Sequence, residues 1–240
     1  MRRNVSRSGL ARKHRQMRYA TKNWTDRLID IPCFILGNAP SIKDFDIHLL
    51  DDYFTIGINR IFKCDKFDPT VLFWQDSSLW KTEFNSIHNL QALKVARDVA
   101  DPKRLYYNFH LKGGGYRFET QPKQAHIIYG RGSTGPVAAQ FAVALGCRPL
   151  IFVGMDCKRD AKGFGDFYGE NQFWLPHTLP NCELGLRFMK EHCPVEIIST
   201  GNALDYWERT PLPDAIKKVD PEHKYKIGRQ NYVSQLLAFE

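Results

Sequence analysis

Short apolar segments that end abruptly in polar residues constrain the fold of this chain more than any other feature of its sequence. A strand that is apolar on both faces is buried on both faces, which is typical of parallel sheets covered by helices. Helical patterns lie between these segments, in residues 79–100, 133–145 and 182–191. The alternation predicts an α/β fold with an open, mostly parallel sheet and helices on both faces. The predicted strands are residues 32–36, 51–58, 71–74, 106–109, 149–153 and 195–198.

Polar side chains follow four of the predicted strands. In an open parallel sheet the carboxyl ends of the strands share one edge, and ligands bind in the crevice outside it. We therefore expect these side chains to line a single ligand-binding site. They are Asn38 and Ser41, Asn59 and Arg60, Gln75 and Asp76, and Asp156.

The loop over residues 37–41 has the composition of a phosphate-binding turn. Gly37 lets the backbone approach a ligand closely, and the amides after it can bind phosphate where a helix begins. Ser133, Thr134 and Gly135 offer a second set of amides and hydroxyls at a helix start. A tight structural turn explains the first loop equally well, and an ordinary helix cap explains the second.

The six cysteines form neither a C-x-x-C pair nor a set with zinc-ligand spacing. We interpret Cys33 and Cys147 as buried apolar residues and expect no disulfide, as in a reducing compartment. No apolar run reaches the roughly 18 to 20 residues that cross a bilayer, and the basic N-terminus lacks the apolar region of a secretory signal. The sequence therefore predicts a cytoplasmic protein.

Almost all of the net positive charge lies at the N-terminus. Residues 1–30 contain nine basic and two acidic residues, a net of +7 out of +8 for the whole chain. Such an arm favours a polyanion, either nucleic acid or an anionic membrane surface, although a solvated tail has the same composition. We expect nucleic-acid binding through Arg2, Arg3, Arg7, Arg12, Lys13, Arg15 and Arg18.

An ordered series of short motifs runs through residues 31–207. Gly-Asn-Ala-Pro-Ser comes first, followed by Gly-Ile-Asn-Arg, Ser-Thr-Gly, Phe-Val-Gly-Met-Asp and His-Thr-Leu-Pro-Asn. The series resembles that of the bacterial family-42 sialyltransferases. It is also similar to the DUF115 family, whose relatives include the archaeal 6-hydroxymethylpterin pyrophosphokinases. The resemblance implies a Rossmann-like fold that binds a nucleotide donor and transfers a group from it.

The resemblance also implies roles for residues at matching positions. Asn38 and Ser41 would contact the phosphate and ribose of the donor, and Asn59 would contact the nucleotide or the transferred group. Residues 133–135 match a loop that approaches the donor. Asp156 ends the Phe-Val-Gly-Met-Asp motif, at a strand end beside the same donor site.

The general base is expected to be His177, which matches the residue that activates the acceptor hydroxyl in the sialyltransferases. With a pKa near 6.5 a histidine in an irregular segment can take a proton at neutral pH, although it can equally serve as a backbone hydrogen-bond partner. Gln75 or Asp76 stands where the sialyltransferases have an asparagine. Asp76 is the rival base, provided that burial raises its pKa.

The sequence departs from the sialyltransferases after Asp156. They carry two tyrosines there that stabilise the leaving phosphate, whereas this chain has Lys158 and Phe164, with Arg159 adjacent. Two cations suit the charge of a leaving diphosphate, so we expect a UDP-linked sugar donor and no metal requirement. Ordinary surface residues are the alternative interpretation.

Three parts and three functions follow. The parts are a basic arm over residues 1–30, a Rossmann-like nucleotide-binding transferase domain over residues 31–210 with an active-site lid at about 157–182, and a C-terminal tail over residues 211–240. We favour a glycosyltransferase, with a modified base in nucleic acid as a candidate acceptor. The alternatives are a pyrophosphokinase that uses ATP and Mg²⁺, with Asp76 and Asp156 as ligands, and a non-catalytic nucleic-acid-binding protein.

Overall fold

A computed structural model of the protein describes residues 20–116, 124–130, 132–169, 178–201 and 205–238. Eight strands are present in these residues: β1 (Cys33–Leu36), β2 (Thr55–Ile58), β3 (Val71–Trp74), β4 (Leu93–Arg97), β5 (Tyr107–Lys112), β6 (Ile127–Tyr129), β7 (Leu150–Val153) and β8 (Ile197–Ser199). They form one sheet in the order β6-β5-β4-β3-β2-β1-β7-β8. Every neighbouring pair is parallel.

Helices cover both faces of the sheet, which confirms the predicted α/β fold. They are α1 (Ser77–Asn89), α2 (Thr134–Ala144), α3 (Thr178–His192), α4 (Leu212–Val219) and α5 (Arg229–Leu237). Apolar residues of α2, α3 and α5 pack on the face that carries Ile35, and those of α1 and α4 pack on the face that carries Phe34. Within the described residues, no helix combines the length and apolar character that a membrane span requires.

The four central strands β1, β2, β3 and β7 are buried along their whole length. Their side chains alternate between the two faces, so a strand covered on both faces must be apolar at every position. Phe73 stacks on Phe109 with ring centroids 4.5 Å apart. Each such aromatic or aliphatic side chain stabilises the fold by about 1.5–3 kcal/mol relative to an exposed position.

The chain reverses its direction of winding between β1 and β7. From β1 it adds strands outward to β6, then returns to place β7 on the other side of β1. The connections after β1 and β7 therefore leave the sheet toward opposite faces and open a crevice between them. Open α/β sheets bind their ligands at this topological switch point.

The folded domain begins earlier than the boundary at Ile31 that the sequence suggested. Trp24 and Leu28 are fully buried, and the Trp24 ring lies 4.7 Å from that of Tyr107. The amide of Leu28 donates to the carbonyl of Leu145. Basic and apolar residues are mixed in this stretch. It was therefore interpreted as part of the basic arm, and the burial of its apolar side chains was not predicted. The seven basic residues assigned to the nucleic-acid arm lie outside the described residues.

Four elements are absent from the sequence-based expectations. β4 lies inside the segment interpreted as a helix and its connection, and β6 has only three residues. α4 and α5 lie in the region interpreted as a tail, where Tyr232 and Leu236 are buried and Arg229 pairs with Asp68 at 3.2 Å. The two helices have only eight and nine residues, so their apolar periodicity extends over too short a window to distinguish them from an irregular tail.

Candidate functional site

A cleft of about 770 Å³ opens at the carboxyl edge of the sheet. Its walls come from the ends of β1, β2, β3, β4 and β7, from the N-terminus of α2, and from parts of residues 157–186. The volume falls within the range of roughly 300–1,000 Å³ that is usual for small-molecule sites. The polar strand ends predicted from the sequence therefore do meet at one edge.

Gly37 is required where β1 and β7 approach each other at the base of the cleft. A Cβ atom at this position would lie 2.1 Å from the carbonyl oxygen of Gly154. The amide of Gly37 donates to the carbonyl of Val153, and that of Ala39 donates to Gly154. The backbone at Gly37 was expected to approach a ligand closely, but in the structure it closely approaches the end of β7.

Asn38 and Asn59 each present a buried amide oxygen without a hydrogen-bond partner among the described residues. Asn38 Nδ2 donates to the carbonyl of Ile58 at 2.8 Å, which fixes the orientation of its amide. Asn59 lies in the left-handed region at φ +49°, a conformation that asparagine tolerates better than most residues. Both residues line the cleft. A buried acceptor without a donor is costly, so this wall is suited to a ligand that supplies N–H or O–H groups.

The Ser41 side chain is hydrogen-bonded to Asp156. Its hydroxyl donates to Asp156 Oδ1 at 2.8 Å, and Asp156 is 5 % exposed. Asp156 belongs to the cleft wall, whereas Ser41 lies behind it. A Cβ at Gly201 would approach Asp156 Oδ1 to 2.7 Å, so the carboxylate is held between β1, β7 and the segment after β8.

The N-terminus of α2 opens into the cleft. Gln75 Nε2 donates to the hydroxyl of Thr134 at 3.1 Å, which ties the end of β3 to the first residue of the helix. Ser133 occupies the N-cap position but makes no side-chain capping bond, so this residue does not form the ordinary cap that was the alternative expectation. First-turn N–H groups have no intrahelical acceptor. With Gly135 in the cleft wall, they form a site suited to an anion.

Arg60 is held rigidly at the end of β2. Its Nε donates to Glu83 at 3.0 Å, its Nη2 donates to Thr82, and its guanidinium lies 5.6 Å from the ring centre of Tyr168. Burial alone would raise the pKa of the Glu83 carboxyl, but hydrogen bonds from Lys63 and Arg60 outweigh burial and lower that pKa. Glu83 also interrupts α1 with a non-helical backbone conformation. From the sequence, Arg60 was recognisable only as a strand-end residue.

Lys158 and Arg159, expected to stabilise a leaving diphosphate, are exposed and are not among the residues that form the cleft wall. Arg159 Nη1 donates to the carbonyl of Gly163 and so closes a turn of its own segment. Among the described residues, the cations in the wall are Arg60 and Arg97. Arg97, at the end of β4, was missed because the strand that carries it was not recognised.

The two candidate bases differ in what the structure describes. His177 lies outside the described residues. Asp76 lines the cleft but is exposed, and its Oδ1 accepts the amide of Ser78 at 2.8 Å as the N-cap of α1. The burial that Asp76 would need to act as a base is therefore not found.

A disulfide joins Cys157 and Cys182, whose Cα atoms are 5.8 Å apart. The expectation of no disulfide was wrong. Cys157 follows the end of β7 and Cys182 lies in α3, so the fold brings together two cysteines that are 25 residues apart in the sequence. Both line the cleft, and the bond fastens the two ends of the predicted lid to its wall. Cys33 and Cys147 are buried and free, as expected.

A solved glycosyltransferase shares this fold. The MAf glycosyltransferase from Magnetospirillum magneticum AMB-1 matches with a TM-score of 0.52 and 14 % identity, over 95 % of this chain and 44 % of that one. The chain thus spans less than half the length of that protein. The likeness at this identity is one of fold.

Two structures of the sialyltransferase CstII from Campylobacter jejuni also match. The complex with cytidine-5'-monophosphate gives a TM-score of 0.46 and 13 % identity, over 76 % of this chain and 86 % of that one. The complex with CMP-3FNeuAc gives 0.47 and 14 %, over 76 % and 87 %. No protein-family model matches the sequence, and no curated protein sequence matches it. Membership of the DUF115 family stays a prediction.

Proposed function

We propose that this protein is a glycosyltransferase whose cleft binds a nucleotide sugar and passes the sugar to an acceptor hydroxyl. The observation that carries the proposal is the pair of buried amide oxygens on Asn38 and Asn59, beside the open N-terminus of α2. A nucleotide supplies what these groups lack, since its ribose O–H and base N–H groups are donors and its phosphate is an anion.

The transfer itself is a substitution at the anomeric carbon of the sugar. A base accepts the proton of the acceptor hydroxyl, the acceptor oxygen forms a bond to that carbon, and the bond to the phosphate oxygen breaks. The phosphate leaves with the bonding electron pair, so positive charge must face it. The first turn of α2 and the guanidinium of Arg60 supply that charge in the cleft. The proposed base remains the one expected from the sequence, His177, and the exposed position of Asp76 makes that residue the weaker candidate.

A nucleoside-diphosphate sugar, UDP-linked in the first instance, remains the proposed donor class. Lys158 and Arg159 give this class less support than expected, because they lie outside the cleft wall. Arg60 and the α2 N-terminus take their place as the partners of a diphosphate. Comparing the turnover of UDP-linked sugars with that of CMP-linked sugars decides this part of the proposal.

A pyrophosphokinase would need Asp76 and Asp156 to share a magnesium ion. Asp76 follows β3 and Asp156 follows β7, three strand spacings apart, which is about 14 Å at about 4.8 Å per spacing. Ligand oxygens lie only about 2.1 Å from Mg²⁺. In addition, Asp76 accepts the Ser78 amide and Asp156 accepts the Ser41 hydroxyl. This separation favours the glycosyltransferase over the kinase.

The acceptor is proposed to be a nucleic acid because of the charge at the N-terminus. Seven basic residues fall within the first 18 positions, without an acidic residue among them. A segment of this kind binds phosphate backbones and concentrates a polymeric substrate near the cleft. The third candidate function, nucleic-acid binding alone, uses the same arm. It is distinguished from the glycosyltransferase by the absence of donor turnover.

The test is turnover of a donor panel by the full chain. UDP-sugars and CMP-sugars are incubated with EDTA, and ATP is incubated with Mg²⁺, each with and without hydroxymethylated DNA. We expect release of free nucleotide from a nucleotide sugar in EDTA. Turnover of ATP that requires Mg²⁺ would establish the kinase instead, and polymer binding without turnover of any donor would establish the non-catalytic protein.

A further inference from the structure

Arg97 ends β4 at the part of the cleft farthest from the switch point. The residue is partly buried and belongs to the cleft wall. Its Nε is buried and has no hydrogen-bond partner in the described part of the chain. A guanidinium can form five hydrogen bonds and always carries a charge, and the buried Nε–H of Arg97 is a donor that lacks an acceptor among the described residues.

The acidic residue next to Arg97 in the sequence does not neutralise it. Asp98 follows it directly, but the Asp98 carboxylate contacts His110 Nδ1 at 3.0 Å. No ion pair of Arg97 occurs within the described residues. Arg60, the other arginine of the cleft wall among the described residues, is by contrast bound to Glu83 and Thr82. Removing a cation from water without a counter-ion is costly, and the charge of the partly buried Arg97 has no counter-ion in the described part of the chain.

The position of Arg97 determines which part of a ligand it can reach. β4 is three strands from β1 in the sheet, about 14 Å at about 4.8 Å per spacing. A nucleotide bound at the switch point would leave its sugar, or the acceptor, near β4. Val99, two residues beyond Arg97, lies on the same wall with 60 % of its surface exposed. At this end of the cleft, a cation without a counter-ion among the described residues therefore lies beside an exposed apolar side chain.

We propose that Arg97 binds a carboxylate or phosphate group carried by the transferred sugar or by the acceptor. The assignment to these two sources rests on the proposed function, because the orientation of the donor comes from it. The planar guanidinium can hold either oxyanion through two parallel N–H···O bonds. A neutral sugar or acceptor would leave the charge unpaired, so this residue selects for anionic substrates.

The test compares Arg97→Gln and Arg97→Lys with Arg104→Gln, which removes a charge from an exposed residue outside the cleft wall. Binding of UDP, CMP, UDP-glucose, UDP-glucuronate and a CMP-linked acidic sugar is measured by calorimetry. If the donor supplies the anion, Arg97→Gln lowers the affinity for the acidic nucleotide sugars by about tenfold to a hundredfold. Affinities for the nucleotides alone and for UDP-glucose stay unchanged. Arg97→Lys gives an intermediate loss, because the charge remains without the planar geometry.

If the acceptor supplies the anion, the effect of Arg97→Gln appears in the KM for the acceptor and not in the affinity for the donor. Donor affinities are then equal in all variants, and Arg97→Gln raises the KM for phosphorylated or acidic acceptors while that for neutral acceptors is unchanged. A third arm uses no nucleotide: inorganic phosphate and glucuronate are titrated against thermal unfolding, and they stabilise the wild type and Arg104→Gln more than Arg97→Gln. This arm still reports on Arg97 if nucleotides fail to bind, which would overturn the proposed function alone.

The proposal is overturned if Arg97→Gln matches the wild type in all three arms. It is also overturned if neutral and anionic ligands lose affinity equally, because a merely structural role would produce that result. Thermal unfolding checks the variants themselves. Since the Nε of Arg97 has no partner to lose, we expect Arg97→Gln to unfold at or above the wild-type temperature.

Discussion

The side-chain amide of Asn38, at the end of β1, donates a hydrogen bond of 2.8 Å to the backbone carbonyl of Ile58, at the end of β2. This bond holds the amide in one orientation and leaves its oxygen buried in the cleft wall, without a partner among the described residues. Asn59, which follows β2, has a second buried amide oxygen without a partner among the described residues. The two residues together define where a ligand with hydrogen-bond donors fits.

Replacement of Asn38 should weaken nucleotide binding. Asn38→Ala removes an acceptor for the ligand, and a neutral hydrogen bond of this kind corresponds to roughly a threefold to tenfold loss of affinity. Calorimetric titration with UDP and CMP measures it. Asn85→Ala, on the exposed side of α1, is the control and should bind as the wild type does. Equal affinities for all three proteins would remove Asn38 from the site.

Gly37 should tolerate no side chain. Gly37→Ala places a Cβ against the carbonyl of Gly154, so we expect the free energy of unfolding to fall by about 1–3 kcal/mol. Gly113→Ala is the matched control, because a Cβ there meets no atom within 4 Å. Urea denaturation followed by circular dichroism gives both values. A Gly37→Ala protein as stable as Gly113→Ala would contradict the close packing of β1 and β7.

Glu83 should make stability depend on pH in the acidic range. Its pKa is lowered by hydrogen bonds from Lys63 and Arg60 despite burial. A lowered pKa stabilises the fold above the unfolded-state value of about 4.3, and this contribution is lost as the pH falls through the folded-state value. Glu83→Gln should therefore be less stable than the wild type at neutral pH. The difference should narrow when denaturation is repeated below about pH 4, and a constant difference would refute the ion-pair account.

Reduction of the disulfide should loosen the cleft. Opening Cys157–Cys182 releases a segment of 25 residues, with an expected loss of about 3 kcal/mol in unfolding free energy. Gly165 and Tyr168, which line the cleft between the two cysteines, lose their tether, so nucleotide affinity should fall as well. Thermal unfolding and calorimetry with and without a reducing agent measure both effects. The Cys157→Ser/Cys182→Ser variant should not respond to reduction, and the wild type responding no more than this variant would contradict the disulfide.

Removal of the basic arm should affect polymer binding but not folding. Deletion of residues 1–19 should weaken DNA binding and reduce its salt dependence, with a slope change of about 0.9 for each phosphate that the arm no longer neutralises. Small acceptors should react as before. Deletion of residues 1–30 also removes Trp24 and Leu28, which are buried, and should cost roughly 3 kcal/mol or more of stability. An unchanged salt slope after the shorter deletion would show that the arm does not bind DNA.

The sequence predicted the elements whose patterns are locally complete. β1, β3 and β7 are apolar on both faces, so their position and parallel pairing follow from composition alone. The start of α2 was predicted from Ser133 and Thr134. β4 was missed because its sequence, Leu-Lys-Val-Ala-Arg, alternates and borders a helix, which gives it no solid apolar run.

The candidate site was predicted in outline but not in its partnerships. Polar residues at strand ends were expected to converge, and Asn38, Asn59, Gln75 and Asp156 do line one cleft. The hydrogen bond from Ser41 to Asp156 spans 115 positions, and the cysteine pair spans 25. Such long-range contacts depend on the order of the strands in the sheet, which cannot be predicted from a local sequence pattern. The unsatisfied Nε of Arg97 is visible only once its surroundings are known.

A crystal structure of the chain with UDP or CMP tests the central claim most directly. The account predicts the nucleotide in the cleft at the ends of β1 and β7, with its phosphate at the first turn of α2. Donor groups of the ligand should lie within hydrogen-bond distance of Asn38 Oδ1 and Asn59 Oδ1. A nucleotide bound on another surface, or a cleft in which both amide oxygens stay without a ligand donor at saturating nucleotide, would contradict it.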